Sequence, residues 1–93
     1  MHARIRRNTD LKITIKLFAL LAKYLPDGAV KNQLDIDVAE GASVQEVIHS
    51  LNLPSEHCHL VLVDGVYVAP SDRETLVLKE GQALAIWPPV AGG

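Results

Sequence analysis

The sequence predicts an α+β fold, with one amphipathic helix packed across one face of a mixed sheet of four or five strands. Three observations predict it. Two segments of period two, "LKITIKL" and "QLDIDV", stand in the first half of the chain. A single clear helical stripe follows in "SVQEVIHSLNLP". Two strongly apolar stretches, "LVLV" and "ALAIW", come after it. A helix with one apolar stripe needs a surface to bury it against, and a sheet face supplies one. At 93 residues and 48% hydrophobic composition, the chain has the length of one domain and the material for a core.

The first strand is predicted at Leu11–Leu17. Leu11, Ile13, Ile15 and Leu17 alternate there with Lys12, Thr14 and Lys16, the pattern of a half-buried strand. Leu20, Leu21, Tyr24 and Leu25 then fall at roughly helical spacing, so a short helix or helical turn is expected before Pro26 and Asp27-Gly28 break the chain. In the second strand Leu34, Ile36 and Val38 face one way and Asp35 and Asp37 the other.

The helix carries the clearest local signal. Ser43 and Glu46 form the S-x-x-E pattern of a capping box, in which each side chain satisfies a free backbone N–H of the first turn. Val44, Val47, Ile48 and Leu51 make its apolar stripe, and Pro54 requires it to end earlier. Leu60–Val63 is an unbroken apolar run, which predicts a strand covered on both faces. Asp64-Gly65 marks a tight turn into Val66–Val68. "TLVL" reads as a short strand or bridge and "KEG" as a turn. "ALAIW" is apolar on both faces and should be central. With the first and last strands adjacent and the helix laid across them, the arrangement is a β-grasp, the ubiquitin-like roll.

Composition excludes several classes of function. The lone Cys58 rules out an internal disulfide and fits a reducing, cytoplasmic location. No apolar run reaches the ~20 residues of a membrane helix, so no membrane contact is expected. Residues 1–10 hold three arginines against one acid, whereas residues 11–93 hold six bases against ten acids. A mildly acidic body argues against nucleic acid as a partner. The basic segment 1–10 is expected to be a disordered, solvated extension, with the folded domain at 11–87 and an extended tail at 88–93.

No self-sufficient active site is legible. His57, Cys58 and His59 in "EHCH" are the only metal-like cluster, but strand spacing sends the cysteine away from the histidines and no second cluster completes a site. The expectation is therefore no metal and no bound cofactor. Asp35 and Asp37 lie on a polar strand face, His49 has no acid to orient it, and Ser43 is explained by capping. Gly41, Gly65 and Gly81 stand singly in turns, so no phosphate-cradling loop is present.

The chain ends in "WPPVAGG". Pro88 and Pro89 lack N–H donors and cannot extend the sheet, and Trp87 before them is held extended. In polyproline-like geometry the six residues after Trp87 would project about 19 Å, at ~3.1 Å each. Gly92 and Gly93 carry no Cβ, so such a tip could enter a slot too narrow for any other residue. The functional group at that tip is the Gly93 carboxylate. It is anionic at pH 7 and so a poor electrophile until something activates it.

On "ITIKLFALLAKYLP", "VDG" and "LKEGQALAIWPPVAGG" the chain resembles the MoaD/ThiS family of ubiquitin-like sulfur carriers over about residues 11–93. The terminal "PPVAGG" is the most specific part, and with "LFALLAKYLP" it resembles the small subunit of molybdopterin synthase more than the thiamine carrier. That resemblance implies a protein that is not catalytic alone. A ubiquitin-activating-type enzyme would use ATP to adenylate Gly93, and a persulfide donor would convert the adenylate to a thiocarboxylate. The tail would then enter a synthase large subunit and pass sulfur to a pterin precursor. Gly92 and Gly93 match the family's terminal diglycine. Phe18, Tyr67 and Trp87 match apolar contact positions, and Pro88, Pro89 and Val90 fall in the partner-binding tail. The alternatives are the same carrier chemistry for thiamine, cysteine or tRNA thiolation, or a ubiquitin-like protein modifier. Gln82 stands where family members commonly carry an acid, and Val68–Thr75 is longer than usual.

Overall fold

The structure, a computed structural model, describes residues 10–89. Five strands and one α-helix form in chain order: β1 (Asp10–Leu17), β2 (Gln33–Ala39), α1 (Val44–Ser50), β3 (Leu60–Val63), β4 (Val66–Tyr67) and β5 (Ala83–Trp87). The sheet order is β2-β1-β5-β3-β4. β1 and β5 run parallel, and the other neighbours are antiparallel. This is the β-grasp the sequence predicts, with the first and last strands side by side in the middle. β1 starts at Asp10, one residue earlier than the expected boundary.

Register decides which side chains share a face. Ile13 pairs with Ile36 and Ile15 with Leu34, so these point to the helix side. Ile13, Ile15 and Leu17 of β1 are buried there with Val61 and Val63 of β3 and Leu84 and Ile86 of β5. Val44, Val47 and Ile48 of α1 close over them, joined by Leu21, Leu53 and Leu78. These side chains form one buried cluster between the sheet and the helix.

The local signals act as expected. The Ser43 hydroxyl accepts from the Glu46 N–H, and the Ser43 N–H donates back to the Glu46 carboxylate at 2.9 Å. α1 stops at Ser50, well before Pro54. Asp64 (φ 50°) and Gly65 (φ 83°) make the two-residue turn between β3 and β4, and the Asp64 carboxylate accepts from the Ala83 N–H at 2.9 Å. Ala19–Tyr24 is a 3₁₀ segment with no side-chain cap, and only Leu21 in it is fully buried. "TLVL" supplies a single bridge, Ser43 to Val77.

One expectation fails. Leu60–Val63 is not covered on both faces: Val61 and Val63 are buried, but Leu60 is 36% exposed and Leu62 half-buried. The second apolar face of β3 is open.

Candidate functional site

The outer face of the sheet divides into two halves of different chemistry. Across β2 and β1 the side chains are polar and satisfy one another. Lys12 Nζ lies 3.2 Å from Asp37, and the Thr14 hydroxyl donates to Asp35 at 2.7 Å. Both members of that ion pair are well exposed, so it is worth only ~0–1 kcal/mol.

Across β5, β3 and β4 the same face is apolar, and no element among the described residues covers it. Lys16, Ala85, Leu62 and Tyr67 stand in one row, because each pairs with the next across the sheet. Leu60 and Trp87 form the adjoining row, with Phe18 stacked on Trp87. A shallow groove of about 460 Å³ runs between these rows, lined by Phe18, Leu62, Ala85 and Trp87 with Lys16 and Asp64 at its rim. Tyr67 is 57% exposed at the end of the patch. A continuous apolar patch with a polar rim is the usual form of a protein-binding surface.

Trp87 joins that patch to the tail. Its ring lies parallel to Phe18, with centroids 4.3 Å apart and planes 4° from parallel. Such a stack contributes ~0.5–1.5 kcal/mol beyond its area. The Phe18 N–H donates to Ile86 O at 3.2 Å, and the His59 N–H donates to Trp87 O at 3.0 Å. β1 and β3 therefore hold the base of the tail from both sides. Pro88, lacking an N–H, ends the pairing of β5. Its ring is buried, and exposed chain begins at Pro89.

The expected site residues fall in three groups. Phe18, Trp87 and Tyr67 come together on the outer face. Pro88 is built into the domain and Pro89 stands outside it. Val90, Gly92 and Gly93 lie outside the described residues. Leu60, Leu62, Ala85 and Lys16 belong to the patch and were missed. A signal for them existed: Phe18 continues the outward-facing series Lys12, Thr14, Lys16, and the unbroken run at Leu60–Val63 puts apolar side chains on both faces.

The "EHCH" stretch forms no ligand cluster, and no group of three metal-binding side chains occurs among the described residues. Ser55–His57 is a 3₁₀ turn, Cys58 is buried and His59 is exposed. The Cys58 thiol is pushed above its ordinary value of 9.0, chiefly by burial, with nearby Arg73 opposing the shift and Glu56 adding to it. Arg73 is itself buried beside this turn. Its Nη2 reaches His59 O at 3.5 Å, while its Nε has no partner among the described residues. No helix there is long and apolar enough to cross a membrane.

Comparison with known proteins agrees with this geometry. The family model described as "ThiS family" matches residues 15–93. A search of the curated proteins found no match. Among solved structures, the HVO 2177 protein of Haloferax volcanii is similar at 23% identity and TM-score 0.74, over 98% of this chain and 94% of its own. SAMP1 of the same organism is similar at 27% identity and TM-score 0.63, over 88% of this chain and 99% of its own. A Pyrococcus furiosus protein described as molybdopterin converting factor, subunit 1, is similar at 22% identity and TM-score 0.60, over 86% of this chain and 99% of its own.

Proposed function

Because the chain belongs to the ThiS family of ubiquitin-like sulfur carriers, we propose that it carries sulfur on Gly93 for the assembly of molybdopterin, as the small subunit of a synthase. The observation that carries this reading is the apolar outer face, which runs without a break into Trp87, from which the tail departs. The globular part supplies affinity and the tail supplies chemistry. Two small glycines can offer little binding energy of their own, so a partner that takes in the tail must hold the domain instead.

The chemistry begins with a carboxylate that is inert at neutral pH. Attack of the Gly93 carboxylate on the α-phosphorus of ATP, bound by an adenylating partner, gives an acyl adenylate and releases pyrophosphate. The outer sulfur of a persulfide displaces AMP, and a thiol then reduces the acyl disulfide, leaving the thiocarboxylate and a disulfide on the donor side. Within the synthase the thiocarboxylate sulfur attacks a carbon of the pterin precursor and displaces an oxygen substituent from it, and hydrolysis of the resulting thioester leaves a thiol on the pterin and returns the carboxylate for another round. Pro88 and Pro89 suit this role, because two consecutive prolines fix φ and make a stiff base for the tail.

Intact-mass spectrometry tests the carrier chemistry. After incubation with ATP, an activating enzyme and a sulfur donor, the protein should gain the mass of one oxygen-to-sulfur exchange. The variant lacking Gly92-Gly93 should fold normally and gain nothing. Absence of the exchange in the full chain sinks the carrier reading. Complementation of cells lacking the molybdopterin-synthase small subunit tests the destination.

A second reading has its own observation, the likeness to a small archaeal modifier protein, SAMP1, at 27% identity. In that reading Gly93 forms isopeptide bonds with lysines of other proteins. Conjugates that persist on a denaturing gel and vanish on deleting Gly93 would favour it over the synthase.

A further inference from the structure

The buried inner layer ends at β3. Val63 is only 6% exposed, whereas Val66, its partner across the β3–β4 hairpin and so on the same face, is 68% exposed. The opposite edge of the sheet is better covered, since Leu34, Ile36 and Val38 of β2 are all half-buried. Beside β4 lies a groove of about 480 Å³, lined by Val63, Val66, Val68 and Leu76. Leu76 is itself 39% exposed. Asp64 and Asp72 border the groove, and no lysine or arginine lines it among the described residues. The Asp72 carboxylate has no ion-pair partner among those residues, and Arg73, next to it in the chain, is buried and reaches His59 O instead. Exposed apolar surface bordered by charge of one sign suits a partner of the other sign.

We infer that this groove seats a short segment of another protein, with an apolar side chain between Val66 and Leu76 and lysine or arginine side chains flanking it. The apolar anchor takes valine and leucine surface out of water, and the flanking cations meet Asp64 and Asp72. Asp64 keeps one carboxylate oxygen for that contact, because the other accepts from the Ala83 N–H. A second copy of this chain is a poorer occupant for two reasons. A two-fold interface sets the same patch against itself, so acids face acids with no base in the groove to offset them. β4 is also only two residues long, too short for edge-to-edge strand pairing between copies. The site is independent of the sulfur-carrier reading, since Val66 and Tyr67 are successive residues of β4 and face opposite sides of the sheet.

The test titrates the isotopically labelled full chain with a short peptide alternating arginine and leucine. The methyl resonances of Val66, Val68 and Leu76 should shift and saturate, and added salt should weaken the binding. A peptide alternating glutamate and leucine should leave them unmoved. Val66→Glu, at a site already exposed, and Asp72→Lys should each lower affinity at least about tenfold with little change in Tm. Leu62→Asp, on the outer face, should leave peptide binding unchanged, so a failure here and a failure of the carrier reading are separate results. Absence of any shift at about 1 mM peptide overturns the assignment of this groove. Equal binding of the glutamate peptide does the same, as do shifts confined to the outer face around Leu62 and Trp87. Shifts of the groove methyls that grow with protein concentration in the absence of peptide also overturn it, because they assign the groove to a second copy.

Discussion

At the residue scale, backbone conformation and burial set two expectations. Ala19, next to Phe18, has φ 54°, a left-handed conformation that costs a non-glycine residue ~1–2 kcal/mol. Ala19→Gly removes that strain but frees the unfolded chain, which takes back ~0.4–1 kcal/mol. The net expectation is a gain of about 0.5–1 kcal/mol in urea unfolding, and a loss instead would show that the conformation carries no strain. Cys58 sets the second. Its folded thiol titrates above 9.0, so the protonated form is favoured by folding. That contribution is fully present below pH 9 and is lost as pH rises through the higher folded value. Stability should therefore fall on the alkaline side, and Cys58→Ala should flatten that limb. Alkylation should be slow in the native protein and fast in denaturant, since a buried thiol is seldom a thiolate.

At the scale of elements, α1 depends on its first turn more than on its length. Helices shorter than ~12–15 residues are marginal alone, and this one has seven, so capping and packing must hold it. Ser43→Ala removes one half of the capping box at a site 5% exposed and leaves the Glu46 N–H without its acceptor. A loss of about 1 kcal/mol is expected, read as a lower urea midpoint with unchanged slope. Ile48→Ala, which empties a fully buried position of the same helix, should cost more, ~2–5 kcal/mol. If the order of these two losses were reversed, packing would not be what fixes the helix on the sheet.

At the scale of the whole molecule, the two faces of one sheet do different work. The inner face holds the fold together, and the outer apolar half is available to a partner. Leu62→Asp separates them, because Leu62 points outward and is not part of the buried cluster. Affinity for the proposed adenylating or synthase partner should fall by at least about 30-fold, the loss of a central interface residue worth ~2 kcal/mol, with little change in Tm. Equal losses of binding and stability would mean that the patch is structural. Trp87→Ala should lower both, since its ring is half of the stack that holds the base of the tail.

How much of this was legible beforehand differs by feature. The capping box, the Asp64-Gly65 turn and the alternation of β1 and β2 are encoded within a few residues of one another. Local hydrogen bonding and side-chain periodicity decide them, so the sequence alone determined these elements and the α+β architecture they allow. It also set the expectation that the chemistry sits at Gly93, because no motif elsewhere in the sequence completes an active site. The apolar outer face was decided only by tertiary structure. Phe18, Leu62 and the Ala85–Trp87 pair come from three separate parts of the chain, and they share a surface because β1, β5 and β3 are neighbours in a fixed register. The apolar run at Leu60–Val63 could not say whether its second face was covered by protein or left bare. The burial of Arg73, whose Nε has no partner among the described residues, and the half-buried side chains of β2 arise likewise from contacts that form only when distant segments meet. Periodicity records which side of a strand is apolar; what lies against that side is settled by the folded chain.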